Sequence, residues 1–124
     1  MLHITVQILI GLDSLHKSNF MYKDLKASHV FVDQNLRVTL IDFGMCEEAK
    51  ENGRTGSPAG TFHAMSQQML SLFLKRLTGK QVQDKDHVGF EHDFFTVGVL
   101  LFEFLFPQKV MYFSNVDLNS AEGQ

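Results

Sequence analysis

The chain has 124 residues, of which 44% are hydrophobic, enough for one small domain with a buried core. A net charge of −3 without any run of lysines and arginines lacks the basic footprint that tracks phosphate backbones or anionic bilayers, so neither nucleic acid nor a membrane is expected as a partner. Cys46 has no second cysteine to pair with, and the opening MLHITVQILIGLDSLHK lacks the basic start and cleavage site of a signal peptide. A reducing compartment, the cytoplasm or the nucleus, is the expectation.

Leu2, Val6, Leu9 and Leu12 are spaced by four, three and three, which predicts a helix from near the start to about His16 with these residues along one face. Ile4, Ile8 and Ile10 widen the apolar surface, so the helix is expected to be largely buried. FMYKDLKAS then reads as a loop entered from a short extended segment. Val30–Val32, the turn residues Asp33-Gln34-Asn35 and the run Leu36–Ile41 predict a small hairpin. MCEEAKENGRTGSPAG, residues 45–60, has no periodicity and is expected to be a mobile surface loop.

QQMLSLFLKRL, residues 67–77, regains helical spacing, and the polar TGKQVQDKDHVGFEH at 78–92 reads as a linking loop. FFTVGVLLFEFLF, residues 94–106, is apolar on all sides of a helical projection, as a helix enclosed by protein requires. It holds Glu103 and is too short to span a bilayer. A polar tail follows, with Tyr112 and Phe113 as its aromatic anchors.

Four short motifs occur in a fixed order: Tyr22-Lys23-Asp24-Leu25-Lys26-Ala27-Ser28-His29, Asp42-Phe43-Gly44, Gly60-Thr61 followed by Met65-Ser66-Gln67-Gln68, and DFFTVGV at Asp93–Val99. Together they resemble the catalytic loop, metal-binding loop, activation-segment end and central helix of the lower lobe of a eukaryotic protein kinase of serine/threonine type. The resemblance spans residues 1–112, leaving 113–124 as a tail. It implies an α+β, mainly helical fold: a protein-kinase-like C-terminal lobe fragment with a small β-hairpin.

The resemblance also implies roles. Asp24 would accept the proton of a substrate hydroxyl and Lys26 would meet the transferring phosphate. Asp42 would bind the Mg²⁺ carried by ATP, Phe31 would floor the adenine ring, and Phe43 would pack toward an upper lobe. Phe31 and Phe43 are expected in the core. Thr61 is expected as a structural hydroxyl near Asp24, whereas Thr55 and Ser57 are phosphorylation candidates whose phosphate could pair with Lys23. The partners implied are a protein substrate or a regulatory protein.

Several residues depart from the family pattern. His29 stands at the second metal position, normally Asn, where an imidazole nitrogen replaces an amide oxygen and loss of one Mg²⁺ site is implied. Tyr22 and Lys23 replace His and Arg, Lys23 keeping the charge without the bidentate fork. Gln67-Gln68 replace Pro-Glu, and the link from Gln68 to Asp93 is longer than the family's, with a polar stretch read as a surface insertion. The six histidines share no ligand spacing with Cys46, so no zinc site is expected. No Gly-rich loop, phosphate-gripping lysine or paired helix glutamate is legible. The expected function is ATP-dependent phosphoryl transfer to protein serine or threonine hydroxyls in an intact parent, the chain alone being inefficient. The alternative is a pseudokinase or truncated fragment that binds without catalysis.

Overall fold

A computed structural model describes residues 2–107. The tail from residue 113, its anchors Tyr112 and Phe113, and the boundary at residue 112 lie outside the described residues. Helix α1, Leu2–Lys17, is followed by strand β1, Phe20–Met21, a loop, a 3-10 turn at Ala27–His29, and the hairpin of β2, Val30–Val32, with β3, Val38–Leu40. Two-residue strands β4, Glu47–Glu48, and β5, Arg54–Thr55, precede helix α2, Gln67–Leu77. Strand β6, Val88–Gly89, leads into helix α3, Glu91–Leu105. This is the α+β, mainly helical arrangement expected.

Three antiparallel pairs hold the strands: β1 with β4, β2 with β3, and β5 with β6. The hairpin register sets Val30 opposite Leu40, Phe31 opposite Thr39 and Val32 opposite Val38. Asp33 closes its turn by accepting from the backbone N–H groups of Asn35 and Arg37, as a turn aspartate does. Helix α2 starts where Ser66, its N-cap, accepts from the Met69 N–H at 3.2 Å, satisfying a donor that the first turn leaves free.

The core has two clusters. Ile8 and Leu12 of α1 pack with Tyr22, Leu25, and Val97 and Leu100 of α3; Ile4, Leu15 and the hairpin residues Val30, Val38 and Leu40 border them. Met21, Ala49, Met65, Met69, Leu72 and Val88 form the other. The inward face of α1 is therefore Ile4–Ile8–Leu12–Leu15, and Leu2, Val6, Leu9 and Ile10 are exposed. This corrects the expectation of a largely buried helix. The helix is apolar nearly all round, so spacing alone could not choose the face; neighbours did. Gly11 marks the close approach, because a Cβ there would meet Leu40 Cδ1 at 3.3 Å.

Two further expectations change. In α3 His92, Asp93, Thr96, Val97, Val99 and Leu100 are buried, but Phe94, Phe104 and Leu105 are exposed, so the helix is enclosed on one side only. Segment 45–60 is fastened at several points rather than loose. Arg54 and Thr55 pair with Gly89 and Val88, and the Arg76 guanidinium donates twice to the Gly56 carbonyl, at 3.1 and 2.9 Å. The link after α2 is accordingly more than a surface insertion, since Val88 is buried and its strand closes on β5.

His92 is 1% exposed, its Nδ1 lies 2.8 Å from Ser66 Oγ, and burial holds its pKa below the ordinary 6.5. Between that lowered value and 6.5 the unfolded chain binds the proton more readily, so stability present above 6.5 is withdrawn as pH falls. Urea unfolding at pH 7.5 and 5.5 should show a loss of stability in the wild-type chain that is smaller in His92→Asn; an equal loss in both would assign it to other groups.

Candidate active site

The loop after β1 turns sharply at Lys23, whose φ of 69° lies in the left-handed region that non-glycine residues seldom occupy. What holds it there is Asp93, fully buried at the start of α3. Its Oδ2 accepts from the Tyr22 N–H at 2.9 Å, its Oδ1 accepts from the Lys23 N–H at 2.8 Å, and His16 Nε2 lies 2.7 Å from Oδ2. A carboxylate removed from water needs such donors, and the two amides would otherwise be buried without acceptors. The turn leads directly into Asp24, whose side chain is 14% exposed.

Asp24 accepts from Thr61 Oγ1 at 3.1 Å, the structural contact expected of that threonine. Lys26 Nζ stands 3.8 Å from Asp24 Oδ2. Gly60 brings the two segments together. Its φ is +114°, and a Cβ there would lie 3.0 Å from the Lys23 carbonyl oxygen. Both the backbone and the space demand glycine.

His29 connects this loop to the hairpin. Its Nδ1 is 2.8 Å from the Asp24 carbonyl oxygen, and its Nε2 is 3.1 Å from Asp42 Oδ2. Asp42 has a left-handed φ of 61°, accepts from the Gly44 N–H at 3.2 Å, and exposes 59% of its side chain. Asp24, Lys26, His29 and Asp42 thus form one continuous chain of contacts. Phe31 lies on β2 with 57% exposure and Phe43 is 52% exposed against the edge of Tyr22, ring centroids 5.7 Å apart. Neither is a core residue, contrary to expectation. The hairpin packs only its Val30, Val38 and Leu40 side against α1, and Phe31 faces the other way.

The expected phosphorylation geometry is also corrected. Thr55 is fully buried and donates to Glu47 Oε1 at 2.5 Å. Lys23 is 3% exposed, with its ammonium hydrogen-bonded to Glu47 and donating to the Ser57 carbonyl at 3.3 Å. Burial would raise the Glu47 pKa, but the bonds from Lys23 and Thr55 outweigh it and hold the carboxyl below its usual value. Lys23 is therefore engaged, and of the two candidates only Ser57 is exposed.

The sequence profile of the protein kinase domain matches residues 1–122. The chain belongs to the protein kinase family. Its relatives include the serine/threonine-protein kinase AtPK1/AtPK6 of Arabidopsis thaliana, 32% identical over 82% of this chain and 19% of that kinase. The serine/threonine-protein kinase YPK2/YKR2 of Saccharomyces cerevisiae is 32% identical over 89% of the chain and 14% of its own length. Human ribosomal protein S6 kinase alpha-4 is 32% identical over 80% of the chain and 12% of its own length. The chain thus spans less than a fifth of these kinases. No helix among the described residues is long and apolar enough to cross a membrane.

ATP and Mg²⁺ are the cofactors that the kinase family implies. Asp42 fits a hard cation, because its carboxylate is exposed and offers oxygen. His29 does not, because Mg²⁺ takes oxygen ligands and the imidazole presents nitrogen.

The residue that sequence reading undervalued is Asp93, seen only as the head of a helix motif. A signal was present: a carboxylate followed by FFTVGVLLF must find donors if that run is buried. Asp93→Asn would turn an amide N–H₂ toward one of two backbone N–H groups and break the pair with His16. The expected cost is roughly 3–5 kcal/mol, read as a lowered urea midpoint.

Proposed function

We propose that the chain supplies the lower-lobe part of a serine/threonine protein kinase, which in the intact protein transfers the γ-phosphoryl group of ATP to hydroxyls of protein substrates. The observation that supports this reading is the convergence of Asp24, Lys26 and Asp42 through His29 and Thr61 on one face. Asp24, steadied by Thr61, orients the substrate hydroxyl and takes its proton as the oxygen–phosphorus bond forms and the bond to ADP breaks. Lys26 offers a point charge beside Asp24 for the transferring phosphate. Asp42 would hold the Mg²⁺ of ATP, which supplies charge neutralisation at the phosphates when bound. Phe31 offers its exposed ring as a floor for the adenine. The cytoplasm or nucleus is the compartment proposed, with a protein substrate or regulator as partner.

A second reading has its own support. His29 occupies the space beside Asp42 with a nitrogen ligand, which favours a pseudokinase that binds partners or nucleotide without turnover. The intact protein distinguishes the two. Mg²⁺-dependent phosphate incorporation into a protein acceptor should fall by about 100-fold or more in Asp24→Asn, the scale of a lost general base. Equal traces from both proteins would leave the pseudokinase reading standing.

A further inference from the structure

Residues 54–57 are held by a second set of contacts besides Lys23 and Glu47, and all of them come from the stretch between the end of α2 and the start of α3. Strand β5 pairs with β6, setting Arg54 opposite Gly89 and Thr55 opposite Val88. The Arg54 side chain adds a bond of its own, with Nη1 donating to the His87 carbonyl at 3.0 Å. The Gly56 carbonyl then accepts twice from one guanidinium in the last turn of α2, from Arg76 Nε at 3.1 Å and from Nη2 at 2.9 Å. A Cβ at Gly56 would meet His87 Nε2 at 2.7 Å and Arg76 Nη2 at 3.3 Å, so the backbone passes through a slot sized for glycine.

This grip is rooted in the core, since Met69 and Leu72 of α2 and Val88 of β6 pack in one buried cluster. It also leads to the candidate site. The Ser57 N–H donates to Thr55 Oγ1 at 3.1 Å, and a few residues on, after Gly60, Thr61 donates to Asp24. From these contacts we propose that Arg76 is a positioning residue: with the β5–β6 pair it clamps residues 54–57, so that Thr61 reaches Asp24 with no phosphate on the segment. The consequence for Asp24 rests on the kinase reading above, although the clamp itself does not.

A phosphate orders a loop by recruiting basic side chains. Here the basic side chains along the segment are already engaged: Lys23 with Glu47 and the Ser57 carbonyl, Arg54 with the His87 carbonyl and 3.7 Å from Glu91, and Arg76 with the Gly56 carbonyl. An arginine suits its place, because the planar guanidinium can aim two N–H groups at one oxygen, whereas a lysine is a point charge without that fork.

The test uses the full-length protein after phosphatase treatment and follows amide hydrogen exchange in peptides covering residues 53–61, with α1 peptides as the reference. The wild-type segment should be protected, and Arg76→Ala should speed its exchange about tenfold or more while α1 is unchanged. Arg76 is exposed and belongs to neither core cluster, so the substitution leaves the core intact. Arg76→Lys should fall between the two. With a protein acceptor, kcat in Arg76→Ala should drop about tenfold or more at an unchanged KM for ATP, and Arg76→Lys should recover part of it, because a displaced Asp24 slows the chemistry without touching the nucleotide. Unchanged exchange in Arg76→Ala, or wild-type protection that appears only on phosphorylation, would overturn the clamp. Faster exchange with an unchanged kcat would overturn the positioning role. If neither protein transfers phosphate while exchange still rises in Arg76→Ala, the clamp stands and the kinase reading fails.

Discussion

The fold depends on one buried charge. Asp93 is inaccessible to water, yet it sits at the first turn of α3, ahead of the most apolar run in the chain. Its carboxylate is tolerable there because two backbone amides and one imidazole converge on it, from residues 71, 70 and 77 positions away. The early part of the first turn is also where a helix dipole favours negative charge. Satisfying Asp93 draws α1, the Tyr22–Lys23 segment and α3 to one point. It also offsets the cost of a left-handed Lys23, on the order of 1–3 kcal/mol for such a backbone. The consequence reaches the candidate site, since the turn at Lys23 sets the position of Asp24.

A second buried charge does the same for the segment that follows the hairpin. Lys23 carries its ammonium inward to Glu47, and Glu47 also takes the hydroxyl of Thr55. An ion pair whose lysine end is buried contributes little net stability over an apolar alternative, but it tolerates few alternative partners, so it fixes position. Strand β5 is then aligned to meet β6, and the chain continues to Gly60, whose missing Cβ lets it rest on the Lys23 carbonyl. Thr61 thereby reaches Asp24. The Asp93 and Lys23 pairs place, from opposite directions, the two residues that meet at the candidate site.

His29 occupies the junction between these systems. It is nearly buried, its Nδ1 is held at the Asp24 carbonyl, and its Nε2 looks toward an exposed Asp42. On the proposed reading, Asp24 would serve as the proton acceptor, Lys26 as the positive point charge and Asp42 as the oxygen ligand that phosphoryl transfer asks of a protein. The histidine leaves the loop that carries it intact, because the ring fulfils the local hydrogen bond to the Asp24 carbonyl.

The sequence by itself determined the local elements and the chemistry they carry. Helix α2 follows from its spacing, the hairpin from β-branched runs around Asp33-Gln34-Asn35, and the candidate residues Asp24, Lys26, His29 and Asp42 from motifs in fixed order. These are short-range signals, set by neighbours a few residues apart. Tertiary structure decided which face of α1 is inside, that Phe31 and Phe43 are exposed, that Thr55 is sealed beneath Glu47, and that β6 closes on β5. It also decided that Asp93 anchors the loop that presents Asp24. The physical reason is the same in each case: burial and hydrogen-bond satisfaction depend on partners tens of residues away, and no local pattern records which distant group will supply the donor.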